Sequence, residues 1–440
     1  MLKRCIGLLA LALPVMVSQI SLIVVSFADN IMVGRYSTEA LAASSFCVNI
    51  FNVINICGMG FSYGLTPIIG RLFARHDMKG IGLTMRAGLI ANVAVGVLLS
   101  IIMGILYFHL ELLNPPAELF PLIRPYYLLS LVSILFLSVF NAFAQWSYAI
   151  KNTAMPMCIL LACNAINIIG NYLLIYGNYG APEMGLTGAG ISTLFVRILA
   201  AAAIAVIFFR KKSNNEFRNG FLDKSLPMTG GLMGKVVKTS WPVALQMTFE
   251  CAAFSGCAVF VGWMGKVPLA AYQIIVVVGQ LGFCIYYSIG MAIAVLVANE
   301  AGKGVLRQCR RVAFDGYAVM LLFAAFAIVV FISFSSQLMG FFTADKAVLD
   351  AARCLIVPLA IYQLGDATQV TFANALRGTS HVMSMMWIAF VSYVVVGLTS
   401  SWIIAFPCGL GLYGIVLSFS ISLFMAAGLF LRQFLKTTAG

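Results

Sequence analysis

Three carboxylates stand in surroundings that penalise them. Asp29 lies in FADNIMVG, Glu250 ends WPVALQMTFE and Asp366 sits in YQLGDATQ, each within or at the end of a long apolar stretch. A charged group at mid-bilayer costs at least about 2.5–3.5 kcal/mol on the insertion scale. One that is kept there faces an aqueous cavity, a cation or a partner. Low dielectric disfavours the bare anion, so such a group is stabilised by taking up a proton or a sodium ion. The plainer alternative is a structural ion pair or a helix-to-helix hydrogen bond. Arg197 is the only clear cation within a span, so three acids are not all paired. Reversible cation binding is the chemistry open to this set.

Their neighbours sharpen the reading. Gln246 precedes Glu250 by four residues and Tyr362 precedes Asp366 by four, which puts each pair on one helical face. A tyrosine beside a carboxylate can help to hold a cation. Asn164, Asn167 and Asn171 follow i, i+3, i+7 and form one amide stripe. Such amides serve as interhelical glue as readily as they serve as ligands.

The elements that position these residues follow from composition. The chain has 440 residues, 62% hydrophobic and 9% charged, with a mean hydropathy of +1.01. A soluble domain carries about 25% charged residues. This excludes a soluble enzyme, a nucleic-acid-binding domain and a disordered tail. The expected class is an all-α integral membrane protein of twelve transmembrane helices. Apolar runs recur near 5–30, 41–68, 82–108, 120–148, 155–177 and 185–209, then near 238–263, 268–298, 312–336, 351–376, 382–406 and 410–434. The N-terminal run resembles a signal peptide but continues to Ala28 without a clear cleavage site, so it is read as the first span.

The expected organisation is a six-helix bundle over 1–209, a basic cytoplasmic linker over 210–237 and a second six-helix bundle over 238–440. The halves repeat. Pro14-Val15 matches Pro242-Val243, Val33-Gly34 matches Val261-Gly262, and Leu41-Ala42-Ala43 matches Leu269-Ala270-Ala271, all at an offset of 228. Gly185-Leu186-x-Gly188 and Ser192 match Gly411-Leu412-x-Gly414 and Ser418 at an offset of 226. Six spans per half make the repeats parallel, about an axis along the membrane normal. With a cytoplasmic N-terminus, 21 of the 27 Lys and Arg fall on one side. Both termini are therefore expected in the cytoplasm, in the cell (inner) membrane.

On that topology Asp29 lies near the outer end of span one. Asn167 and Asn171 fall in the outer half of span five, and Thr193 is ~12 Å below the outer surface in span six. These four could meet. Glu250 and Asp366 are both near mid-span in the second half. Eleven cysteines lack metal-ligand spacing, and GGLMGKVV at Gly230–Val237 lacks the spacing of a phosphate loop.

FADNIMVGRYSTEALAA (27–43) resembles the first-helix signature of the multidrug and toxic compound extrusion (MATE) family. WPVALQMTFE (241–250), PLAAYQI (268–274) and YQLGDATQVTFANALRG (362–378) resemble the matching second-half segments. The carboxylates in spans seven and ten are similar to the NorM branch. The resemblance implies a V-shaped pair of six-helix bundles, and a cation-coupled antiporter (Na+ or H+) exporting amphipathic, often cationic drugs by alternating access. It implies a first cation site at Asp29, Asn167, Asn171 and Thr193, and a second, open to Na+, at Glu250, Tyr362 and Asp366. Gln246 and Gln273 are expected on the substrate path. Some relatives carry aspartate where this chain has Asn171. No cofactor beyond the coupling ion is expected, no catalytic residue and no nucleic acid. The expected partners are small organic compounds and the bilayer, with the chain acting as a monomer.

Two other classes fit less well. A flippase of lipid-linked saccharides, in the same superfamily, would be expected to carry several cations in its cavity for phosphate, whereas these spans carry acids. A channel usually needs a symmetric ring of charges. At the repeat offset Asp29 meets Cys257 and Glu250 meets Leu22.

Overall fold

The computed structural model describes residues 2–113, 116–223, 230–343 and 345–439. Positions 224–229 of the expected linker lie outside the described residues. The long helices are α1 (Leu2–Tyr36), α2 (Thr38–Tyr63), α3 (Leu65–Ala74), α4 (Met78–Phe108), α5 (Phe120–Ala149), α6 (Ala154–Tyr176) and α7 (Gly185–Arg210). The short α8 (Asn215–Leu222) follows. Then come α9 (Gly230–Gly262), α10 (Lys266–Gly302), α11 (Leu306–Ser333), α12 (Ser335–Gly340), α13 (Lys346–Arg353) and α14 (Ile356–Gly378). The chain ends with α15 (Val382–Ala389), a π-helical stretch over Phe390–Leu398, α16 (Thr399–Ala405) and α17 (Gly411–Thr437).

Local chemistry starts these helices where the apolar runs begin. Ser37 caps α2 by accepting from the Ala40 amide at 2.9 Å, and Asp77 caps α4 by accepting from Gly80 at 2.8 Å. Among the described residues, eleven helices are long and apolar enough to cross a membrane. A twelfth crossing, expected at 351–376, is broken. Its residues divide between α13 and α14, which are bent by 48° at Cys354–Leu355. Pro358 has no N–H to bond the Cys354 carbonyl four residues earlier, which favours a break at this point. Beyond the bend α14 buries Gln363, Asp366, Gln369, Thr371, Asn374 and Arg377. The outward face of α11 shows what the spans meet: Leu322, Phe326 and Val329 are 72%, 64% and 61% exposed at helical spacing. The chain is a multi-pass membrane protein.

The chain divides into two compact units. One is Val17–Ala244. The other joins Met1–Met16 to Leu245–Gly440. Both divisions fall inside a helix, two residues after a proline: Pro14 in α1 and Pro242 in α9. Proline removes a helical hydrogen bond and marks a natural break.

The repeat is visible in the backbone. Gly185 and Gly411 open α7 and α17 with φ of +54° and +53°. Gly188 lets α7 approach the Leu174 carbonyl of α6, where a Cβ would lie 2.5 Å from the oxygen. Gly414 does the same for α17 at the Ile404 carbonyl, at 3.0 Å. In lipid, apolar burial does not drive helices together, so such close backbone packing supplies much of the association.

The linker is partly structured. The helix α8 packs on α4, with Gly82 against the Phe217 carbonyl and Gly220 against the Lys79 carbonyl. Phe217 reaches the fully buried Trp146, which also meets Phe208 edge-on. A Cβ on Gly220 would stand 2.2 Å from the Lys79 oxygen, a clash with backbone rather than a movable side chain. Gly220→Val should therefore lower stability by about 1–3 kcal/mol. Gly234→Val, at a position with open space around it, should leave stability unchanged. Thermal unfolding of the two purified variants in detergent checks this.

Candidate functional site

In the Val17–Ala244 unit the structure brings together Asp29, Asn167, Asn171 and Thr193. Asn171, fully buried on α6, donates to Asp29 Oδ1 of α1 at 2.6 Å. It also approaches Asn167 Oδ1 at 3.4 Å. Asn167 lies 3.4 Å from both Ser192 Oγ and Thr193 Oγ1 of α7, and Ser192 donates back to the Asn167 carbonyl at 3.1 Å. Gly170 makes this approach possible, since a Cβ there would meet Ser192 Oγ at 2.4 Å. The third amide of the stripe turns elsewhere: Asn164 donates to Ser21 at 2.6 Å. One acceptor is left over. Asn171 Oδ1 is buried and has no hydrogen-bond partner among the described residues.

Sequence reasoning missed Ser192 as a member of this cluster. It also left Arg197 without surroundings. Arg197 sits one turn beyond Thr193 on α7. Its guanidinium lies 4.4 Å from the centre of the Phe51 ring and donates to Ser133. It interacts electrostatically with Asp29 and Tyr126.

The second cluster lies in the other unit. Gln246 donates to Glu250 Oε2 at 3.0 Å on α9. Asp366, 1% exposed, interacts electrostatically with Glu250 from α14. Tyr362 interacts with both acids and packs edge-on against Phe254, 6.3 Å between ring centres. Tyr286 of α10 adds an interaction with Asp366. Tyr393, carried by the π-helical stretch, adds interactions with both acids. Arg377 acts on Glu250. Neither Tyr286 nor Tyr393 was singled out from the sequence, where nothing in their spacing ties them to α14. Gln273 stands apart, exposed on α10.

Polar atoms are abundant here and their partners few. Among the described residues Asp366 Oδ2, Gln246 Oε1, Gln369 Oε1, both amide atoms of Gln363 and the Tyr286 hydroxyl are buried without a hydrogen bond, while Tyr393 stands beside Gln369. Gln363 is fitted against Gly282, where a Cβ would lie 2.6 Å from its oxygen. Buried polar groups left unpaired are expensive unless a bound species satisfies them. Two carboxylates, tyrosine hydroxyls and amide oxygens form an oxygen-rich set suited to a proton or a small hard cation.

A membrane-spanning helical repeat with an acid-bearing cluster in each unit is an arrangement suited to a transporter. The comparisons assign the family: the MatE family model matches residues 14–173 and 242–403, and the chain belongs to that family. The two matches start 228 residues apart, the repeat offset found in the sequence. The probable multidrug resistance protein NorM of Oceanobacillus iheyensis is 27% identical over 404 residues, covering 89% of this chain and 88% of that protein. The probable NorM of Photorhabdus laumondii is 26% identical over 398 residues, covering 90% and 87%. The crystal structure of the eukaryotic MATE transporter AtDTX14 matches with a TM-score of 0.88 at 16% identity, covering 100% of this chain and 98% of that one. A mutant of the Vibrio cholerae MATE transporter VcmN matches with a TM-score of 0.85 at 17% identity, covering 99% and 97%. The all-helical MATE fold expected from the resemblance is the fold observed.

The Asp29–Asn171 pair gives a direct test. Asn171→Leu removes the amide donor from a partly buried carboxylate and should cost about 1–3 kcal/mol. Adding Asp29→Asn should recover most of that loss, because a neutral amide is less costly to leave unpaired than a carboxylate. Thermal unfolding of the single and double variants in detergent measures both effects.

Proposed function

We propose that the protein is a cation-coupled antiporter exporting small amphipathic, often cationic organic compounds by alternating access, with Na+ or H+ as the coupling ion. The observation that carries this reading is the Glu250–Asp366 cluster, in which half-buried Glu250 and buried Asp366 stand among hydroxyl and amide groups that have no hydrogen-bond partner among the described residues. The name borne by the two NorM relatives, multidrug resistance protein, supports organic compounds as the cargo.

In this reading Glu250, Tyr362 and Asp366 hold the coupling ion, and Asp29, Asn167, Asn171 and Thr193 form a second coupling cluster. Gln246 and Gln273 contribute polar positions on the substrate path. The repeats 1–209 and 238–440, joined by 210–237, act as the two transport bundles. A cation entering from outside neutralises the acids and favours one arrangement of the helices. The cargo is released as that arrangement is adopted. Coupling needs no more than this difference in affinity between states. The distribution of Lys and Arg supports cytoplasmic termini and an inner-membrane location, and the chain works as a monomer.

The test is ethidium efflux from proteoliposomes under a sodium gradient and, separately, a proton gradient. One of the two gradients should drive efflux. Asp366→Asn and Glu250→Gln should each reduce it at least tenfold in correctly inserted protein. Normal export by well-expressed Asp366→Asn would sink the assignment. Absence of efflux under both gradients, together with movement of a lipid-linked saccharide, would replace it with the flippase.

A further inference from the structure

The Asp29 cluster has the ligands of a cation site and also contains a cation of its own. Its oxygens come from Asp29, Asn167, Asn171, Ser192 and Thr193, and among the described residues the buried Asn171 oxygen has no partner. Arg197 stands one helical turn from Thr193 on the same face of α7. Its guanidinium is fixed from two sides. The Phe51 ring lies beneath it at 4.4 Å, and Ser133 accepts from Nη1. Ser133 is itself oriented for this, since its own hydroxyl donates to the Ser130 carbonyl at 2.5 Å.

Neither anchor neutralises the charge. A ring face and a hydroxyl hold a guanidinium in place but carry no formal negative charge. Among the described residues Arg197 makes no direct ion pair. The groups that answer its charge are Asp29 and Tyr126, and only Asp29 is a carboxylate. The Asp29 cluster is therefore balanced at one negative and one positive charge. An inorganic cation added to the free oxygens would leave a net positive charge where dielectric screening is weak. The other unit differs: among the described residues Glu250 and Asp366 are answered by Arg377 alone of the interacting charges, so one negative charge remains for a cation.

We infer that Arg197 is a tethered competitor for the inorganic cation at the Asp29 cluster, occupying its electrostatic place and setting the cluster's affinity for it. The inference rests on reading this cluster as a coupling site. The fork is held on neutral groups, close enough to lend its charge and too far away to be locked into an ion pair. Binding of a small cation at Asp29 and loosening of Arg197 from Asp29 then become one exchange, and release of the ion is assisted by a charge that never leaves the protein.

Direct binding tests this without transport. Equilibrium dialysis of radioactive sodium is measured on the full-length chain carrying Glu250→Gln and Asp366→Asn, so that only the Asp29 cluster remains. Adding Arg197→Met should raise sodium affinity at least tenfold, and adding Asp29→Asn should abolish the gain. Arg197→Lys, which keeps the charge, should stay at the background affinity. The inference is overturned if folded Arg197→Met shows no gain, if the gain survives Asp29→Asn, or if Arg197→Lys gains as much. Should the methionine variant fail to fold, Arg197→Gln carries the same expectations. Failure of ethidium efflux under either gradient would instead strike the transport reading and leave this binding result intact.

Discussion

A carboxylate removed from water must be met by positive charge, by a proton or by a set of hydrogen-bond donors, and this requirement organises both units. Around Asp29 the response is an amide at 2.6 Å and a guanidinium at longer range. Around Asp366 it is incomplete: among the described residues one oxygen has no partner, and Gln246, Gln363, Gln369 and Tyr286 leave further atoms unsatisfied. Many other buried hydroxyls of the spans are bonded, as Ser288 is to the Cys284 carbonyl at 2.7 Å and Thr371 to the Ala367 carbonyl at 2.8 Å, whereas Ser240 and Ser392 have no hydrogen-bond partner among the described residues. Concentration of unsatisfied atoms around two acids is what separates a site from ordinary packing.

Close helix approach makes that arrangement possible. The Gln363 side chain has room because α10 presents Gly282, and Asn374 has room because it presents Gly290. The polar helix α14 lies among α10, α11 and α17. A helix carrying so many polar groups is stable in a bilayer only when neighbouring helices shield it from lipid, which fixes α14 at the interior of its unit. Its polarity and its central position have one cause.

Much of this was legible in the sequence. The apolar runs located the spans because lipid demands about 20 apolar residues per crossing. The offset of 228 located the repeat, and the family model matches at the same offset. The i, i+3, i+7 asparagines pointed to one helical face, and two of the three reach the Asp29 cluster. The rest depended on tertiary contacts. Hydropathy did not signal the break at Cys354–Leu355, since 351–376 is apolar enough in aggregate to read as one run. The docking of α8 on α4 rests on two glycines whose partners are more than a hundred residues away. Arg197 was visible as an intramembrane cation, but Phe51 and Ser133 are joined to it only by folding.

The π-helical stretch over Phe390–Leu398 affects everything that follows it in the same crossing. An i→i+5 turn holds one residue more than an i→i+4 turn, so the helix beyond it is rotated by roughly 100° relative to an uninterrupted α-helix. Ser401 meets Ser418 at 2.5 Å and Cys257 at 3.2 Å only in that rotated register. A descendant that lost one residue here would regain a regular helix of the same membrane reach while turning Ser401 away from both partners. The stretch thus sets which face of α16 is turned toward α17 and α9.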